Sequence, residues 1–146
     1  MANIEDIVSA AQGRHVEHWR LTGQEGLGDR LASRITSEWQ AAVIAAHGDS
    51  LVAEYSVAPH LNERIDLVDT AQNIAYELKV SPNNIHFEFY RDIFKVIVAR
   101  DNRLPALNRF IFIAPAAPAD RLKRRLGGAI IEHYSKTGFQ IEIHGI

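Results

Sequence analysis

A chain of 146 residues, 47% hydrophobic and 23% charged, has the composition of a globular protein with one sizeable core and little room for a second. It has no cysteine, which excludes disulfides, thiolate-bound zinc and thiol catalysis. The net charge of −2 is unevenly spread: residues 1–73 hold 5 Lys or Arg against 11 Asp or Glu, a net of −6, and residues 74–146 hold 11 against 7, a net of +4. An acidic half beside a basic half suits a site that gathers carboxylates for metal and cations for phosphate, although solvated helix faces produce the same imbalance.

The start, Met1-Ala2-Asn3-Ile4-Glu5-Asp6, lacks the basic and apolar regions of a signal peptide. No apolar run reaches the roughly 20 residues of a membrane helix. The expectation is a cytoplasmic protein with a single domain over 1–146 and no membrane partner. Ile4, Ile7, Val8, Ala11, His15 and Trp19 recur at helical spacing and predict a helix over 4–21, stopped at Thr22-Gly23. Leu27, Leu31, Ile35, Trp39 and Val43, each four apart, predict a second helix over 24–46, ended by His47-Gly48-Asp49. Short β-rich runs then predict strands over 50–57, 64–70 and 74–80, with a hairpin turn between the last two. A helix follows to about residue 100, then a strand over 109–114, a helix over 118–136 opened by Pro118, and a strand over 139–143. The order ααβββαβαβ implies an α/β fold, a mixed sheet flanked by helices on both faces.

Strict alternation in the second strand puts Ile65, Leu67 and Asp69 on one face and Arg64, Asp66 and Val68 on the other. In the third strand, Ile74, Tyr76, Leu78 and Val80 form an apolar face opposite Ala75, Glu77 and Lys79. Two carboxylates and an ammonium on neighbouring strands are costly to bury unless they bind something. Asp66 and Glu77 can share a hard divalent cation, with Lys79 close by to orient water or offset charge in phosphodiester hydrolysis. The same residues would also serve as the solvated face of an amphipathic hairpin.

Arg64-Ile65-Asp66-Leu67-Val68, ten residues from Asp66 to Glu77, and Glu77-Leu78-Lys79 resemble the PD-(D/E)XK motif of the restriction-endonuclease-like nucleases. The predicted order αβββαβ over 24–114 is similar to the core of that superfamily. Ile65 departs from the pattern, standing where the motif has proline. The resemblance implies a Mg²⁺- or Mn²⁺-dependent nuclease acting on DNA, with Asp66 and Glu77 as metal ligands and Lys79 positioning or activating the attacking water. It also implies a further acidic ligand from the preceding helix, for which Glu25 is the better candidate and Glu38 a weaker one. Glu25 would equally suit a helix N-terminus as a dipole partner.

Glu54 alternates away from Leu51, Ala53, Tyr55 and Val57 and so faces either the site or solvent. Asp92 and Lys95, three apart on the following helix, form either a helical ion pair or a support for the site with Lys95 approaching a phosphate. Arg121, Arg124 and Arg125 lie in the first turns of the expected 118–136 helix, where cations oppose the macrodipole; a contact of Arg124 and Arg125 with phosphate, or with a partner's acidic surface, would account for them, as would a solvated face softened by Asp120. His15 and His18 have a spacing that could hold zinc but no further ligands, and His86, His133 and His144 are scattered. A restriction-type, junction-resolving, phage or mobile-element nuclease, or a nuclease toxin, fits the length, with a homodimer able to cut both strands. The alternative is a catalytically silent nuclease-like binding module or a subunit of a larger defence complex.

Overall fold

The computed structural model describes residues 2–22, 29–81 and 83–146. Helices α1 (Ile4–Thr22) and α2 (Asp29–His47) precede strands β1 (Leu51–Ser56), β2 (Arg64–Asp69) and β3 (Ile74–Leu78). Helix α3 (Ile85–Asn102), β4 (Arg109–Ala114), α4 (Ala116–Arg124), α5 (Leu126–Ser135) and β5 (Gln140–Gly145) complete the chain. The five strands form one mixed sheet in sequence order, antiparallel from β1 to β3 and parallel from β3 to β5. The α/β class and the flanked mixed sheet agree with the sequence. Among the described residues no helix is long and apolar enough to cross a membrane.

The apolar spacing of each helix determines which face of the sheet it covers. Ile7 and Ala11 of α1 and Ile35, Trp39 and Val43 of α2 are buried against Leu67, Tyr76, Leu78 and Ile111. The Trp39 indole N–H donates to the Ile7 carbonyl at 3.0 Å, so the one polar atom of this large side chain is satisfied within its core. Gly48, at φ 89°, closes α2 by donating its N–H to the Ile44 carbonyl at 2.9 Å. On the opposite face Ile85, Phe89, Ile93 and Val96 of α3 pack on Ala75, Phe110 and Phe112. The Phe89 and Phe112 rings meet edge-on, 5.1 Å between centroids. Fully burying side chains of this size stabilises by about 1.5–3 kcal/mol each.

The 118–136 helix is two helices. The chain breaks at Arg125 (φ −109°, ψ −145°), and α5 starts so close to α4 that a Cβ on Gly128 would lie 2.5 Å from the Lys123 carbonyl oxygen. Arg121, Lys123 and Arg124 therefore occupy the last turn of α4, where cations favour the carbonyl end of the dipole. For Arg121 and Arg124 the expected conflict with the macrodipole does not exist, whereas Arg125 stands at the N-cap of α5.

The hairpin turn after β2 explains a buried charge. The Asp69 carboxylate is inaccessible to solvent, yet accepts the N–H groups of Ala71 and Gln72, each at 3.0 Å, and the Gln72 amide at 2.8 Å.

Candidate active site

Strict alternation fails in the middle of β1 and β2, and the failure builds the site. Ala53 pairs with Leu67 and Tyr55 with Ile65, while Glu54, at φ 52°, is left-handed. A residue in that conformation interrupts the pleat. Leu51 and Leu67 face α1 and α2, whereas Tyr55, Val57 and Ile65 join the core beneath α3. Ile65 and Leu67 therefore lie on opposite faces, contrary to the expectation, and Glu54 and Asp66 stand at the change.

β2 and β3 separate at the same point. Their pairing runs from Asp69–Ile74 to Leu67–Tyr76 and stops there. Beyond it, side chains take over from the ladder. The Leu78 N–H donates to Asp66 Oδ2 at 2.9 Å, and the Asp66 N–H reaches Glu77 Oε1 at 3.4 Å. β3 remains on course because it still pairs with β4, with Lys79 N–H donating to the Ile113 carbonyl at 2.8 Å. Asp66 and Glu77 are thus held between diverging strands, and Ala75, Glu77 and Lys79 occupy the face opposite Tyr76 as expected.

α3 lies over that face and supplies the countercharges. Lys79 Nζ is 3.0 Å from Asp92 Oδ2, 3.2 Å from Glu88 Oε2 and 3.8 Å from Glu77 Oε2. Lys95 Nζ is 2.6 Å from Glu77 Oε1 and 3.0 Å from Asp92 Oδ1, and donates to the Arg64 carbonyl at 2.8 Å. Asp92 and Lys95 do form the helical ion pair, but it is buried and engages the motif. A cleft of about 470 Å³ opens above this cluster, lined by Glu54, Asp66, Lys79, Glu88 and Arg91 with the start of α2 at Ser33, Thr36 and Ser37.

Charge balance sets the chemistry. Asp66, Glu77 and Asp92 contribute three carboxylates against the two ammoniums of Lys79 and Lys95. Burial, then the charges of Asp66 and Asp92, push the Glu77 carboxyl well above the usual carboxylate range, against the pull of Lys79 and Lys95. Burial also raises Asp66, opposed by Lys79, Glu77, the Leu78 N–H and Lys95. Burial works to depress Lys79, but Asp92, Glu77 and Asp66 outweigh it and hold the ammonium above its ordinary value. Lys95 is raised in the same way, burial being outweighed by Glu77 and Asp92.

The donor set fits a hard divalent cation. It is all oxygen, negative in excess, and leaves Glu77 Oε2 buried without a hydrogen bond. Among the described residues no group of three His, Asp or Glu side chains gathers for a metal. Asp66 and Glu77 could hold such a cation only with water or other oxygens completing its shell.

The remaining sequence candidates divide. Glu54 lines the cleft and accepts a hydrogen bond from Gln40 at 3.2 Å. Glu25 lies outside the described residues. Glu38 pairs instead with Arg34 at 3.0 Å. Lys95 is 7% exposed and fully engaged with protein oxygens, while Arg124 and Arg125 are exposed and do not line the cleft.

Sequence reasoning overlooked Gln40. From α2 its amide donates to the Asp66 carbonyl at 2.6 Å and to Glu54 Oε1, tying both kink residues to one helix. The available signal was a polar residue beside Trp39 in an apolar stripe. Comparison of the chain with protein-family models, curated proteins and solved structures finds no match.

Proposed function

We propose that the protein is a restriction-endonuclease-like, Mg²⁺- or Mn²⁺-dependent nuclease that hydrolyses phosphodiester bonds of DNA. The observation that carries this reading is the parting of β2 and β3 at Asp66 and Glu77, which sets Asp66 and Lys79 on the wall of an open cleft with the buried Glu77 carboxylate next to both. Asp66 and Glu77 hold the ion, which when bound supplies Lewis-acid activation of water and neutralises phosphate charge. Lys79, clamped by Asp92 and Glu88, stays protonated at neutral pH. In that state it serves as a donor that orients the attacking water and offsets charge on the phosphate. The water oxygen bonds to phosphorus and releases a proton to solvent, the bond to the leaving oxygen breaks, and that oxygen takes up a proton from solvent, so that one water is consumed per bond cut. Cutting both strands at once takes two such sites, so the proposal extends to a homodimer, which sedimentation tests.

Supercoiled plasmid incubated with the protein and Mg²⁺ should be nicked or linearised, and chelation should stop it. Mn²⁺ should substitute, while Ca²⁺ should bind without supporting cleavage. Cleavage in chelator, or only in Zn²⁺, would sink the proposal. One observation favours a second reading: Lys95, at 2.6 Å, already neutralises Glu77. A catalytically silent binding module would keep such a cluster as an ionic core, and would leave the plasmid intact under every metal.

A further inference from the structure

The surroundings of Lys95 are those of a cation site. Three oxygens from three elements converge on Nζ: Glu77 Oε1 of β3 at 2.6 Å, the Arg64 carbonyl of β2 at 2.8 Å and Asp92 Oδ1 of α3 at 3.0 Å. Glu77 and Asp92 are inaccessible to solvent, and neither Asp92 oxygen has a hydrogen bond, although each lies within ion-pair distance of an ammonium. Two carboxylates and a carbonyl are the ligand types of a hard divalent ion, which binds such oxygens at about 2.0–2.6 Å. The shell would need to contract by only a few tenths of an ångström to reach that range. These three oxygens are the polar partners of the Lys95 head group.

The geometry points to a fixed internal cation: the Lys95 ammonium occupies an all-oxygen cation site formed by Glu77, Asp92 and the Arg64 carbonyl, and limits the chain to one exchangeable divalent ion on the Asp66 side. The limit of one rests on the reading of Asp66 and Glu77 as metal ligands; the cation site at Lys95 does not. Deleting the ammonium leaves two buried carboxylates facing each other across space that the lysine head filled. Such an excess of buried negative charge draws in a proton or a cation, and the three oxygens already converging there fit a divalent ion.

Mn²⁺ binding to the full chain, counted by titration calorimetry and by electron paramagnetic resonance, tests this. Lys95→Ala should bind one more Mn²⁺ per chain than the native protein. Adding Asp92→Asn, which removes one wall of the cage, should return the count to the native value. Without metal, Lys95→Ala should melt below the native chain. Ca²⁺ at about 100 times its dissociation constant should raise the variant's melting temperature by roughly 5–10 °C more than the native value. An unchanged count in a folded Lys95→Ala protein overturns the inference, as does a variant that stays unfolded with and without Ca²⁺. The difference between variant and native is read whether or not the native chain binds an ion or cuts DNA, so failure of the proposed function is a separate result.

Discussion

At the scale of single residues, Glu77 is fully buried between two ammonium groups. Its side chain is closed to solvent, one oxygen faces Lys95, and the other has no hydrogen bond. Glu77→Gln keeps its shape and removes the charge, so the fold should persist while plasmid cleavage falls at least about 100-fold. Lys79→Met should lose cleavage to a similar extent. It also strips Asp92 of a countercharge, and denaturant melts should record a loss of about 3 kcal/mol. Near-native cutting by either variant would remove the motif from the mechanism. The raised carboxyls also determine how metal-free stability depends on pH. An acid whose folded pKa lies above its unfolded value binds more protons when folded, so stability declines as pH rises from about 4 through the raised value. The raised lysines contribute stability that is fully present below about pH 10 and so add no slope in this window. Thermal melts in chelator should therefore give a higher midpoint at pH 5 than at pH 8, and Glu77→Gln should flatten the difference. A native midpoint that rises across this interval would contradict the charge balance drawn for the cluster.

At the scale of elements, the site exists because strands depart from regularity under the control of helices. β1 and β2 change face at Glu54 and Asp66, and α2 holds that kink through the two hydrogen bonds of Gln40. Gln40→Leu would leave a buried carbonyl and a carboxylate oxygen without this donor. It should cost about 1–3 kcal/mol in a denaturant melt and reduce cleavage with it. Full activity and stability would show that the kink needs no support from α2. The junction of α4 and α5 is a separate case, in which backbone contact excludes a side chain. Gly128→Ala forces a Cβ against the Lys123 carbonyl, and a backbone atom cannot swing aside. Destabilisation of about 1–3 kcal/mol is expected, with no change in metal binding. A neutral result would mean that the junction opens readily.

At the scale of the molecule, the sheet separates two cores, and the site lies between α2 and α3, where β2 parts from β3 beside the break in β1–β2 register at Glu54 and Asp66. A duplex bound over the cleft meets Arg91 on its wall, whereas Arg124 and Arg125 stand apart at the end of α4. Binding measured across salt concentrations with Ca²⁺ in place of Mg²⁺ separates these surfaces. Arg91→Gln should flatten the dependence by about 0.9 log unit for each phosphate that the arginine neutralises. Arg124→Gln with Arg125→Gln should flatten it further only if the duplex extends across α4. No change for Arg91→Gln would mean that DNA does not lie over this cleft.

Periodicity alone determined most of the architecture. Ile35, Trp39 and Val43 mark one buried helix face, and Ile74, Tyr76 and Leu78 against Ala75 and Glu77 mark the two faces of β3, because burial repeats with the geometry of the local backbone. The spacing from Asp66 to Glu77 and Lys79 was equally legible, since all three lie on one hairpin. What periodicity misses is where the backbone leaves its period. The left-handed residue at Glu54, which places Ile65 and Leu67 on opposite faces, depends on packing against α2 and α3 that no local pattern encodes. The break at Arg125, with Gly128 brought against the Lys123 carbonyl, is likewise outside what the helical spacing over 118–136 encodes. Lys95 and Asp92 read as an ordinary helical ion pair, because i,i+3 spacing says nothing of what lies across the interface. Tertiary packing set that pair against Glu77 and Lys79, where low solvent access makes each unbalanced charge consequential.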